Sequence, residues 1–121
     1  MPLARITAAA LAAAALAGCG GPGPPSEARD GRVALTLDDF LIRPQNVRAP
    51  AGRVTFEVVN RGRLGHNFRL RGRDGEPVAI PTMLPDRGRR EVVRLQPGSY
   101  KMLCTVANHE QLGMTGRLVV R

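Results

Sequence analysis

From Arg32 to the C-terminus the chain is a succession of short apolar runs, each ended within a few residues by Gly, Pro, Asn or Asp, and helical spacing never persists beyond two turns. That pattern excludes a helical bundle and calls for strands. Arg53-Val54-Thr55-Phe56-Glu57-Val58 alternates strictly, which sets Val54, Phe56 and Val58 on one face of a strand. The same reading predicts strands over 32–37, 40–42, 46–48, 53–60, 67–71, 78–80, 90–95, 99–105 and 116–120, some of them very short. Ala49-Pro50-Ala51-Gly52, Asn60-Arg61-Gly62, Arg73-Asp74-Gly75 and Gln96-Pro97-Gly98 are the turns between them. Residues 81–88 are the least strand-like stretch, because Pro81, Pro85 and Gly88 oppose pairing, and a short helical turn fits there. Seven or eight strands in about 90 residues imply an all-β, Greek-key β-sandwich.

Within this scaffold Cys104, His109 and Met114 place a thiolate, an imidazole and a thioether in eleven residues. Such soft donors suit copper better than a hard cation, and His66 supplies a fourth. Cys104 to His109 and His109 to Met114 are both steps of five, which on a helix turns each side chain by roughly 140° and on a strand flips it to the opposite face. Convergence therefore requires a strand ending near Cys104, a loop around a common centre, and a strand leaving after Met114. Gly113 and Gly116 offer the backbone freedom, and Leu118-Val119-Val120 the departing strand. Two His and one Cys in a plane with a weak axial Met is the donor set of a blue-copper electron-transfer centre.

The segment from Pro97 to Val120, with its Pro-Gly-Ser-Tyr lead-in, single Cys, His and Met at four-residue gaps and closing Gly-Arg-Leu-Val-Val, resembles the C-terminal hairpin of the cupredoxins. His66-Asn67 resembles the family's first-ligand motif, and the likeness runs from about Val33 to the C-terminus. It implies one mononuclear copper held by His66, Cys104, His109 and Met114, with His66 inner and His109 edged toward solvent as the electron port. Met83 and Met102 compete with Met114 for the axial place. By the same likeness Asn67 bonds the cysteine sulfur and the residue after it, Thr105, the Gly65 carbonyl approaches the metal from the other axial side, and Tyr100 is a structural tyrosine corner. Leu112, Met114 and Met83 or Leu84 are the expected apolar collar of the port. A closed ligand set leaves no position for substrate, so the expectation is a carrier and not an enzyme. A dinuclear centre would need a second cysteine beside the first.

The N-terminal segment is of another kind. Residues 1–18 carry one early charge, Arg5, then an Ala/Leu run too short to span a bilayer comfortably, the layout of an export signal. Leu16-Ala17-Gly18-Cys19 resembles a bacterial lipobox, which implies lipidation of Cys19 and cleavage before it. Residues 19–31 then read as the lipidated Cys and a Gly/Pro-rich tether, and 32–121 as the domain. A Cys19–Cys104 disulfide is disfavoured, since one cysteine sits in the processing site and the other among metal ligands. The expected location is extracytoplasmic, lipid-anchored to the cell membrane.

The chain carries 18 basic and 10 acidic side chains, a net charge of +8. Arg61, Arg63, Arg69, Arg71 and Arg73 cluster around His66 in sequence, which suits an acidic redox partner or anionic lipid, or is simply a solvated basic surface. Export and only four aromatics argue against nucleic acid. The expected molecule is a monomeric one-electron carrier. The same ligands would also serve a protein that stores, delivers or buffers copper.

Overall fold

The alternation at 53–58 is realised in a strand whose Val54, Phe56 and Val58 are buried while Thr55 and Glu57 between them are only partly covered. The computed structural model describes residues 23–121. Its regular elements are ten strands: β1 Ser26–Glu27, β2 Arg32–Asp38, β3 Leu41–Arg43, β4 Asn46–Ala49, β5 Gly52–Asn60, β6 His66–Gly72, β7 Gly75–Met83, β8 Gly88–Leu95, β9 Gly98–Leu103 and β10 Thr115–Val120. They form a six-stranded sheet, β1-β4-β10-β9-β6-β7, and a four-stranded sheet, β3-β2-β5-β8. The chain is thus an all-β sandwich, with parallel pairs β1·β4, β4·β10 and β2·β5 that make it cross between sheets. The inner faces meet in one core, where Phe56 and Phe68 lie 5.7 Å apart between ring centroids. Each fully buried Leu, Ile or Phe there contributes about 1.5–3 kcal/mol.

Ten strands stand where a seven- or eight-stranded sandwich was expected: nine answer to the predicted runs, the short β3 included, and β1 is the addition, too brief to show a period. The residues expected as tether are also partly paired. Ser26 and Glu27 align with Val47 and Arg48, and the Ala28 N–H donates to the Arg48 carbonyl at 2.8 Å. That pairing rests on backbone bonds and one Glu27–Arg48 ion pair at 3.6 Å and leaves no apolar period, so the ordered sheet starts before Arg32. The export signal and Cys19 lie outside the described residues.

No helical turn forms at 81–88. β7 instead continues to Met83, with the register shifting between His66/Met83 and Phe68/Ile80. Pro81 falls in that bulge on an edge strand, where its missing N–H costs no ladder bond. Tyr100 donates from its hydroxyl to the Gln96 carbonyl at 2.8 Å, the bond of a tyrosine corner. Gly72 leaves room for that ring, since a Cβ there would lie 2.6 Å from it.

Candidate metal centre

β9 ends at Leu103 and β10 begins at Thr115, so residues 104–114 form the loop between them. Backbone bonds close it: the Cys104 N–H donates to the Met114 carbonyl at 3.1 Å, and the Met114 N–H to the His109 carbonyl at 3.0 Å. Gly113 takes a φ of 110° and Ala107 one of 43°, so the bend expected of Gly113 is shared with a residue that carried no such signal. Gly116 does different work. It lies within β10, where a Cβ would come 2.5 Å from the Gln45 carbonyl oxygen and 2.8 Å from Met102 Cε, so it permits close approach rather than a bend.

The loop carries Cys104 and His109 to the first residue of β6, His66, and all three are buried. The two Nδ1 atoms lie 3.1 Å apart, and Cys104 Sγ is 3.6 Å from His109 Nδ1 and 3.9 Å from His66 Nδ1. A triangle with these sides has its circumcentre inside it, about 2.1 Å from each corner, which is the bond length of a first-row metal to imidazole and close to that for thiolate. The donor set therefore fits a single small, soft-acceptor ion. Two imidazole nitrogens and a thiolate closing on one point, with the buried Met114 ending the same loop, is the arrangement of a type 1 copper site. Met102 is spent on packing against Gly116, and Met83 stands opposite His66 on β7.

Around this triangle lie bonds that fix its shape. Asn67 Nδ2 donates to Thr105 Oγ1 and the Thr105 N–H donates to Asn67 Oδ1, both at 2.8 Å, joining the strand that bears one ligand to the residue after another. Gly65 sits between Leu64 and His66, with the space above it closed by Thr82 Cγ2, 3.1 Å from where a Cβ would be. Three residues that the sequence did not single out matter as much. Asp39 Oδ1 accepts from His66 Nε2 at 2.9 Å, and the Phe40 ring packs edge-on against His109 with centroids 5.2 Å apart. Asn60, fully buried, donates to the carbonyls of Leu64 and Met83 at 2.8 and 2.9 Å and accepts from the Gly62 N–H at 2.9 Å. An Asp or Asn in a turn is ordinary, and no spacing connects 39 or 60 to 66.

The electrostatics match metal binding. Hydrogen bonding to His66 holds the Asp39 carboxyl below its usual range, helped by the N–H groups of Arg63 and Leu64. With Nε2 turned to the Asp39 carboxylate, Nδ1 is the His66 nitrogen that faces the centre. Burial, and to a lesser degree the neighbouring His66, pushes His109 down, which keeps that imidazole neutral as a ligand must be.

The Arg residues clustered in sequence are split by the fold. Arg61 and Arg63 stand on the loop before His66, whereas Arg69 and Arg71 lie farther along β6, both bonded to Glu76. A strand advances about 3.3 Å per residue, so Arg73 lies roughly 23 Å along the chain from His66. The collar also differs from expectation. Met83 and Met114 are buried, and the exposed apolar side chains of this end are Leu41, at the start of β3, and Leu64, Leu84 and Leu112 on the loops.

No family model matches the sequence, and no curated protein matches it either. Solved structures do. A dithionite-reduced auracyanin from Roseiflexus castenholzii matches with a TM-score of 0.71 at 17% identity, covering 78% of this chain and 99% of that one. Auracyanin A, described as a blue copper protein from Chloroflexus aurantiacus, gives 0.63 at 19% identity, covering 74% and 99%. A rusticyanin gives 0.66 at 17%, covering 82% and 83%. At such identities the likeness establishes the fold, which is that of the cupredoxins.

Proposed function

We propose that this chain is a cupredoxin-type carrier of single electrons, using one copper ion held by His66, Cys104, His109 and Met114. The observation that carries the reading is the buried nitrogen, nitrogen and sulfur triangle whose centre lies one metal bond length from each corner. Copper bound there supplies a one-electron couple between its divalent and monovalent states. The protein's part is to hold the donors still. Asn67, Thr105 and the two loop-closing bonds fix Cys104 and His109, and the Asp39 carboxylate fixes His66, so little has to move when an electron arrives.

His109 is the port. It is 6% exposed while His66 and Cys104 are wholly covered, and Leu64, Leu84 and Leu112 offer the apolar surface against which a partner can close and exclude water. Arg63 and Arg87, exposed on the flanking loops, have no ion-pair partner among the described residues and suit an acidic redox partner. An export signal, lipidation of Cys19 and a tether would place the domain outside the cytoplasm at a membrane surface, a reading that rests on the sequence.

Copper-loaded protein is expected to show an intense red-region absorption band and a reversible one-electron wave, both lost in Cys104→Ser. A colourless copper form that yields its ion readily to a chelator would favour storage or delivery instead. A band that survives the loss of the thiol would refute the ligand assignment.

A further inference from the structure

We infer that Asp39 is an electrostatic partner of the metal centre, orienting His66 for ligation through Nδ1 and lowering the reduction potential by stabilising the more positive oxidation state. This rests on the copper reading above. The geometry behind it is unusually complete for one surface turn. Asp39 Oδ1 is 2.9 Å from His66 Nε2, and the carboxylate is gripped from behind by the Arg63 N–H at 3.0 and 3.1 Å and the Leu64 N–H at 3.2 Å. These donors come from the loop that leads into His66, so the imidazole and its counter-anion are aimed by the same few residues. Gly62 keeps the contact open: a Cβ there would stand 2.4 Å from Asp39 Oδ1 and 2.7 Å from His66 Nε2. The next residue, Phe40, continues the turn to the second histidine. One two-residue connection between β2 and β3 thus touches both imidazoles.

The charge argument follows from the ligand set. With Cys104 as thiolate, the centre has net charge +1 with divalent copper and 0 with monovalent copper. An ionised carboxylate one imidazole away, with its side chain only 28% exposed, attracts the first and not the second. A carboxylate on the remote ring nitrogen also makes the imidazole a stronger donor, which again favours the divalent ion.

The test compares the full chain with Asp39→Asn, which keeps an acceptor but removes the charge, and with Asp39→Ala, which removes both. Asp86→Asn, an exposed carboxylate on the β7–β8 turn, serves as the control for general surface charge. Affinities for divalent and monovalent copper are measured separately by chelator competition, and the midpoint potential by voltammetry. Asp39→Asn is expected to keep the absorption band and lose about tenfold in affinity for the divalent ion only, equivalent to a rise of about 59 mV. Asp39→Ala is expected to weaken both ions by about 10- to 100-fold. Asp86→Asn is expected to change none of these appreciably. In the unsubstituted metal-free protein, nitrogen NMR is expected to find His66 as the Nε2–H tautomer, a readout that needs no variant to fold. A band with unchanged potential in Asp39→Asn, an equal shift in Asp86→Asn, or an Nδ1–H tautomer overturns the role of Asp39 alone. Absence of the band from the unsubstituted protein overturns the copper reading and this inference together.

Discussion

Asn60 shows how a single buried amide can govern a site it does not touch. Its carboxamide ties the carbonyls of Leu64 and Met83 to the Gly62 N–H, and its own backbone bonds the turn at Asp86 and Arg87. Asn60→Ala would strip its bonds from the Leu64 and Met83 carbonyls and leave the Gly62 N–H only its 3.1 Å bond to the Leu37 carbonyl, so a loss of about 3 kcal/mol in unfolding free energy is expected from denaturant titration. At this scale the sequence was legible where chemistry is rare. Only two histidines and one cysteine fall within 32–121, so His66, Cys104 and His109 stood out, and the structure brings their donor atoms together. Asp39, Phe40 and Asn60 were not legible because their residue types are common in turns and strands, and their partners are distant in sequence.

Among the elements, the strands were readable wherever one face is buried, as in β2 and β5, since the period of two then survives in the sequence. It failed at the edges. β1 is two residues of backbone pairing, Pro81 in the β7 bulge imitates a strand stop, and β8, exposed along nearly its whole length, begins two residues before the predicted 90–95. The β6–β7 pair illustrates what exposed side chains add. Glu76 on β7 accepts from Arg71 at 2.8 Å and Arg69 at 3.0 Å, and these bonds hold its carboxyl below the ordinary value of 4.5. A depressed folded value means the contribution is fully present above 4.5 and is lost as pH falls through the lower folded value. Thermal unfolding of the unsubstituted protein should therefore weaken with acid in that window, and Glu76→Gln should show a shallower decline with a lower plateau at neutral pH. An identical slope in both would remove Glu76 from the account.

For the molecule as a whole, the two ends differ in character. One carries the histidine pair, four exposed leucines and Arg63 and Arg87, which have no ion-pair partner among the described residues, and the net charge of +8 surrounds it with a positive field. Association with an acidic electron donor or acceptor should slow as ionic strength rises, because a Debye length of about 8 Å at physiological salt screens the long-range part. Arg63→Glu with Arg87→Glu should reduce the bimolecular rate several-fold at low salt while the visible band and potential stay the same. Stopped-flow mixing over a salt series would show this, and a rate indifferent to both salt and substitution would exclude electrostatic steering.

The first strand gives this polarity a direction. β1 runs parallel to β4, which runs parallel to β10, and β10 starts at the histidine end. Ser26 aligns with Val47 and, through it, with Leu118, so β1 lies partway along the sheet and runs away from the histidine end. A tether of the kind proposed would join the ordered sheet at this edge strand, partway along its length, and leave the histidine end uncrowded by its own anchor.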